Sequence, residues 1–359
     1  SATTPLSEGV KSVIIEALEC YGNPSSLHFE GDKARRSLLS ARNEIMRGLS
    51  ARNGKLIFTS CGSEASNLAI RGSVAAKKRR TANRIITTDS EHPSIANTLN
   101  SLEDEGFEIV RIPTQNGVLD RYALIEALEK PIFMASIMLV NNETGAVYNV
   151  SEVFSEIKRK YPDAICHCDA VQGFLKVRFT PASLNADMIT ISGHKVHAPK
   201  GIGALWISDR IIKEKRLVSV LLGGGQEDGF RSGTENVIGI IAFAKAVSDG
   251  VMSFTQDVCK MSDLRKYAVK KFEEIGMGVR VNEPALAAPH IISLTVPNIK
   301  SQTMLNYLSA KGICVSSGSA CSSHSNKPSE VLLSFGLKGN EADSTVRISL
   351  SRYNTKEEI

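Results

Sequence analysis

One lysine of this chain stands in an unusual setting. Asp187-Met188-Ile189-Thr190-Ile191 is a β-branched run that predicts a buried strand, and it ends in Ser192-Gly193-His194-Lys195. Lysine ordinarily belongs at the surface. At a strand end, with partial burial and neighbouring charge, it can instead form a Schiff base with a carbonyl compound. Other strand ends carry complementary groups. Asp169 closes one apolar run and offers the carboxylate that keeps a ring nitrogen protonated. Asn142 and Gln172 supply polar side chains for a ring oxygen, and His92 can stack on a ring face. Gly62 and Ser63 sit at a strand–turn–helix junction whose backbone amides suit a phosphate, with Ser192 and His194 available beside them. Together these residues offer what pyridoxal 5′-phosphate requires. Singly each has a plainer reading: Lys195 as a loop lysine, Asp169 as a helix N-cap, His92 as a hydrogen-bonded loop histidine. Their convergence on one sheet edge argues against the plainer readings. A second chemistry lies far downstream. Cys321 is the centre of Ser316-Ser317-Gly318-Ser319-Ala320-Cys321-Ser322-Ser323-His324-Ser325-Asn326, a composition expected for a flexible loop, with a cysteine at its middle.

The elements that must position these residues alternate. Short apolar runs at 55–59, 84–88, 107–112, 132–140, 164–168, 187–191 and 204–207 read as strands, and helical periodicity falls between most of them. This predicts an α/β fold with a mostly parallel central sheet and helices on both faces, whose ligands sit outside the carboxyl ends of the strands. A long helix over about 235–275 leads to a smaller α+β domain, with strands near 291–296 and 313–315 and helices near 301–311 and 328–335. The expected division is 6–250 for the large cofactor-binding domain and 251–359, with 1–5, for the small domain carrying the Cys321 loop.

Bulk properties narrow the alternatives. The 359 residues are 42% hydrophobic and 23% charged with a net charge of +5, ordinary values for a globular protein. No signal-peptide pattern opens the chain, and no apolar run reads as long enough to span a bilayer, so a cytoplasmic setting is expected. Lys77-Lys78-Arg79-Arg80 reads as a solvated helix end rather than a nucleic-acid site. The seven cysteines are scattered and odd in number, which fits a reducing compartment. Cys166-His167-Cys168 resembles a metal ligand set, but in a strand its histidine faces away from both thiols, and no metal is expected.

An ordered set of motifs carries a family resemblance along the whole chain. Ala-Thr-Thr-Pro (2–5), Gly-Asn-Pro-Ser-Ser (22–26), Glu-His (91–92), Val-Asn-Asn-Glu-Thr-Gly (140–145), Cys-Asp-Ala-Val-Gln (168–172), Ser-Gly-His-Lys (192–195), Pro-Lys-Gly-Ile-Gly-Ala-Leu (199–205), Arg-Ser-Gly-Thr (231–234), Ser-Ser-Gly-Ser-Ala-Cys (316–321) and Val-Arg-Ile-Ser-Leu (346–350) closely resemble the cysteine desulfurases of the NifS/IscS type. The resemblance implies fold type I of the pyridoxal-phosphate enzymes (class-V aminotransferases), a homodimer, and active sites near the dimer interface. It makes Lys195 the Schiff-base lysine, His92 the stacked histidine and Asp169 the partner of the ring nitrogen. Asn142 and Gln172 lie around the ring oxygen and substrate. Gly62, Ser63, Ser192 and His194 form the phosphate site, and Thr234 reaches that site from the other subunit. Arg347 holds the substrate carboxylate, a task suited to a planar fork. Lys195 removes the Cα proton of L-cysteine, His92 aids proton movement, and the Cys321 thiolate takes the sulfur. The products are alanine and a persulfide destined for an iron–sulfur scaffold or another thiolation acceptor.

Three departures from the family pattern stand out. Cys61-Gly62-Ser63-Glu64 replaces the usual Gly-Ala-Thr-Glu, the chain begins within the first motif, and it ends at Ile359 before the usual C-terminal helix. The alternatives are a selenocysteine lyase, another class-V enzyme such as a transaminase, or a sulfur-carrier or scaffold-binding subunit with little turnover of its own.

Overall fold

The computed structural model describes residues 2–76, 82–318 and 328–359. Among these, seven strands build one sheet: β1 (Lys55–Thr59), β2 (Arg84–Thr88), β3 (Glu108–Ile112), β4 (Met134–Met138), β5 (Ile165–Asp169), β6 (Met188–Ser192) and β7 (Gly203–Ile207). Their order is β1-β7-β6-β5-β4-β2-β3. Strand β7 runs antiparallel to both its neighbours, while β3, β2, β4, β5 and β6 are parallel. The expected mostly parallel sheet is therefore present, with β7 as its one reversed strand.

Helices cover both faces. In chain order they are α1 (Glu8–Ala17), α2 (Phe29–Gly48), α3 (Gly62–Ala75), α4 (Pro93–Glu103), α5 (Arg121–Ala127), α6 (Val150–Lys160), α7 (Pro181–Leu184), α8 (Asp209–Lys213) and α9 (Val237–Ile275). Strand side chains alternate between the two layers, as the period of two requires. Leu56, Phe58, Ile189 and Ile191 join Val10, Ile45, Phe154 and Phe243 in one core. Ile57, Ile85, Met134 and Leu205 join Leu68, Ile95 and Leu99 in the other. Each such fully buried aliphatic side chain contributes about 1.5–3 kcal/mol. Cys166 and Cys168 lie together in the first core. His167 between them hydrogen-bonds Ser136 and Thr190, both at 2.9 Å, so both its ring nitrogens are occupied within the sheet.

Helix α9 packs along α1 and α2 and runs unbroken through the 250/251 position expected as a domain boundary. Its first half contains a stretch long and apolar enough to cross a membrane by length and composition, contrary to the sequence expectation. Half of that stretch is buried, with Ile240, Phe243 and Val247 fully enclosed, and its apolarity serves the protein's own core. The far end of α9 supplies Leu264 and Ala268 to a third, smaller core with Ile292 and Leu350. There β8 (Arg280–Val281), β9 (Ile291–Thr295) and β10 (Thr345–Ser349) form an antiparallel sheet in the order β10-β9-β8. It is accompanied by α10 (Ser301–Ala310), α11 (Glu330–Phe335) and α12 (Gly339–Asp343).

The strand expected at 313–315 does not form. That segment meets β10 at a single bridge, Ser316 with Arg347. With no facing element among the described residues to cover it, Ile313 is 49% exposed. Cys314, which a strand there would have placed in the small domain's interior, is exposed for the same reason. Lys77–Arg80 and Cys321 lie outside the described residues.

Candidate active site

The carboxyl ends of β1, β2, β4, β5 and β6 open on one edge of the large sheet. Strand register aligns their last residues: Met138 pairs with Asp169, and Ser192 with Gly203. Gly203 must be glycine, because a Cβ there would stand 2.6 Å from the Cys61 carbonyl carbon. This close approach seats the turn before α3 against β7. A cavity of about 310 Å³ occupies the edge, and every described site residue expected from sequence lines it except Thr234.

One end of the cavity is built for an anion. Helix α3 begins at Gly62, and its N-cap, Cys61, makes no side-chain capping bond, so the first-turn amides of a 14-residue helix face the cavity end without a side-chain cap. A Cβ on Gly62 would meet Val171 Cγ2 at 2.8 Å. Ser192 Oγ, opposite, is buried with no hydrogen-bond partner among the described residues. Arg231 pairs with Glu64 in the first turn of α3 at 2.8 Å, which holds the 231–234 loop to this end. Thr234 itself is exposed and does not enter its own chain's cavity.

The middle of the cavity suits a flat, cationic ring. Asp169 ends β5, fully buried, with Val171 N–H donating to its Oδ1 at 2.9 Å. Burial pushes its pKa up to about 6, opposed by the Val171 amide and the Lys195 charge. A buried carboxylate in this position calls for a proton donor or cation facing it. His92 is the N-cap of α4, followed by Pro93 at the first helical position, a preferred arrangement. Its Nδ1 accepts from the Ser94 amide at 3.1 Å, which places the ring proton on Nε2. Burial, aided by Lys195, lowers the His92 pKa to about 4, so the ring is neutral at physiological pH. Asn142 Oδ1 is buried and unpartnered among the described residues. Gln172 Oε1 accepts from His290 Nε2 at 3.3 Å, which turns its amide nitrogen away from His290. His290, enclosed below, had no signal in the sequence beyond its type.

Lys195 follows β6 in a single tight turn (Gly193–Lys195) and is half-buried. Its Nζ donates to the Ala2 carbonyl at 2.7 Å. The amides and hydroxyls of the N-terminal segment continue that contact, with Thr4 N–H donating to the His194 carbonyl at 2.9 Å. Burial, together with Lys195 and Lys200, lowers His194 to about 4. Ala2 as a cavity residue was not anticipated.

Arg347, on β10, closes the far side and is 4% exposed. Its Nη1 donates to the Asn142 carbonyl at 2.7 Å and its Nη2 to Ser316 Oγ at 3.2 Å, while Nε has no partner among the described residues. Burial lowers its pKa, opposed by the Glu143 carboxylate, but a guanidinium remains charged. Glu143 also accepts from Ser329 at 2.6 Å and stands 3.1 Å from where a Gly318 Cβ would lie. The residues just before and just after 319–327 are thus both held beside Arg347. A lysine amine, a buried carboxylate, a neutral histidine, unpartnered hydroxyl and amide groups and a helix N-terminus in one cavity can hold a phosphorylated pyridine aldehyde. The guanidinium leaves room to recognise a carboxylate beside it.

Comparison with known proteins agrees with this reading. The aminotransferase class-V family model matches residues 1–359. A cysteine desulfurase IscS from Dictyoglomus turgidum is 35% identical over 362 residues, covering the whole of this chain and 90% of that protein. A solved NifS-like protein superposes with a TM-score of 0.91 at 32% identity, covering 99% of this chain and 94% of the other. A solved complex of SspA with cysteine superposes with a TM-score of 0.82 at 31% identity, covering 99% and 98%. The chain belongs to the class-V aminotransferases, among their NifS/IscS-type cysteine desulfurases.

Proposed function

We propose that this chain is a pyridoxal 5′-phosphate-dependent cysteine desulfurase that moves sulfur from L-cysteine to Cys321 and releases L-alanine. The observation that carries this reading is the convergence of Lys195, Asp169, His92, Asn142 and Arg347 on one cavity whose buried Asn142 Oδ1 and Ser192 Oγ have no partner among the described residues. When bound, pyridoxal phosphate supplies an aldehyde for amines and a ring that takes up the electron pair left at Cα.

The chain's own residues do the rest. The α3 amides with Ser63, Ser192 and His194 would hold the phosphate. Asp169 would accept from the ring N–H, and His92 would stack on the ring. Gln172 and Asn142 would serve the ring oxygen. Arg347 anchors the substrate carboxylate through its fork, a charge-assisted pairing of about 1.5–3 kcal/mol. Lys195 Nζ takes the Cα proton, and His92, through Nε2, helps move protons at the substrate. The Cys321 thiolate attacks the substrate sulfur, so an S–S bond forms as the C–S bond breaks. The bonding pair stays with the carbon fragment, which gains a proton and leaves as alanine. The balance is L-cysteine plus Cys321 thiol giving L-alanine plus Cys321 persulfide.

The persulfide then passes to an acceptor protein, such as an iron–sulfur scaffold, in a reducing cytoplasmic setting. A homodimer belongs to this reading, with Thr234 assigned to the phosphate site of a second copy; its exposure, on a loop tied to the phosphate end, supports that assignment. The test is alanine release from L-cysteine with mass analysis of Cys321. Alanine without any Cys321 persulfide, or turnover restricted to selenocysteine, would sink it.

A further inference from the structure

One buried cation has no part in this chemistry. Lys176 lies four residues beyond Gln172 and is 7% exposed. Its Nζ donates to the main-chain carbonyl of Lys195 at 3.1 Å. Enclosing an ammonium with a carbonyl rather than a carboxylate as its hydrogen-bond acceptor is costly, so the position is unusual for a lysine serving only packing.

The groups facing Lys176 come from several elements. Asp257 of α9 and Arg352 of the C-terminal segment form an ion pair at 3.2 Å, and with Lys176 they line a small cavity of about 20 Å³. His197, two residues after Lys195, lines the same cavity, its Nδ1 tied to the Pro5 carbonyl at 2.9 Å and its ring edge-on to Tyr353. Lys195 and His290 complete the charged and titratable surroundings. Burial first, then Arg352 and Lys195, lower the Lys176 pKa to about 8, with Asp257 acting against them.

We propose that Lys176 is a positioning residue for Lys195: its ammonium braces the Lys195 carbonyl, and its charge, offset by Asp257, favours the unprotonated Lys195 nitrogen. This rests on Lys195 as the cofactor lysine. The brace acts where the Gly193–Lys195 turn ends, so it fixes the stem from which the reactive side chain departs. The charge acts as neighbouring cations do on other reactive lysines, by lowering proton affinity. Through Asp257 and Arg352, α9 and the C-terminal segment are coupled to the reacting nitrogen.

The test titrates the visible cofactor band of the loaded enzyme against pH. Lys176→Met should move the midpoint up by about one unit, a tenfold change in the proton equilibrium, and Lys176→Arg should stay within about 0.3 unit of wild type. Asp257→Asn removes the opposing charge and should move the midpoint down. It decides the matter alone should Lys176→Met not fold. An unmoved midpoint in Lys176→Met, or an unmoved or upward one in Asp257→Asn, overturns the role. Borohydride reduction with peptide mass mapping separates the two possible failures. A label on a lysine other than Lys195 overturns the cofactor assignment and this role with it. A label on Lys195 with unmoved midpoints overturns only the role of Lys176.

Discussion

The Arg347 guanidinium donates to the Asn142 carbonyl at 2.7 Å, joining residues 205 positions apart in the chain. The bond ties β10 of the small sheet to the loop after β4 of the large one, so the group assigned to the substrate carboxylate is held by the cavity it serves. Arg347→Lys keeps the charge and loses the fork. The KM for L-cysteine is expected to rise about 10- to 100-fold, matching the loss of about 1.5–3 kcal/mol, with a smaller fall in kcat. Steady-state alanine release checks this. A KM within twofold of wild type would place the carboxylate elsewhere.

Gly62 and Val171 form a coupled pair. A Cβ at Gly62 would stand 2.8 Å from Val171 Cγ2, at the start of the helix proposed to hold the phosphate. Gly62→Ala, the residue usual in the family, is expected to weaken cofactor retention by about tenfold, within the 1–3 kcal/mol typical of overpacking. Val171→Ala in the same chain should restore it. Equilibrium dialysis of the cofactor measures both, and additive losses in the double variant would contradict the account.

Glu91 sets a pH dependence of stability. Its Oε1 accepts from the Thr88 hydroxyl at 2.8 Å and the Met138 amide at 3.0 Å, while Oε2 is unpartnered among the described residues. Burial raises its pKa from 4.5 to about 8. An acid whose folded-state pKa is raised binds a proton that the unfolded chain releases, so folding loses stability as pH climbs from 4.5 to about 8. Glu91→Gln removes that penalty. Relative to wild type, the variant should gain on the order of 1–3 kcal/mol at the upper end of the window and progressively less toward the lower. Urea midpoints of the cofactor-free chain at pH 5 and pH 8 test it, and a difference that does not change with pH would refute it.

The strand-end residues were legible because a parallel sheet places successive carboxyl ends on one edge, so residue type and strand boundary together located His92, Asn142, Asp169, Gln172 and Lys195. Partners supplied by distant chain were not legible. His290 reaches Gln172 across 118 positions and Ala2 reaches Lys195 across 193, and neither pairing leaves a periodic trace. Lys176 was passed over because its burial arises from α9 and the C-terminal segment closing around it. Cys314 and its neighbours failed for the converse reason: an apolar run predicts a buried strand only where a second element faces it. Helix α9 showed the same limit, since hydropathy alone does not distinguish a membrane from a protein core.

The central claim is that sulfur passes from L-cysteine to Cys321 through chemistry begun at Lys195. Wild type, Cys321→Ala and Lys195→Ala, each incubated with cofactor and L-cysteine, should be compared by intact mass and peptide mapping. The account predicts one added sulfur on the Cys321 peptide of wild type, none in either variant, and a visible cofactor band retained in Cys321→Ala but lost in Lys195→Ala. Alanine and sulfide release at the wild-type rate from Cys321→Ala, or an unchanged band in Lys195→Ala, would contradict it.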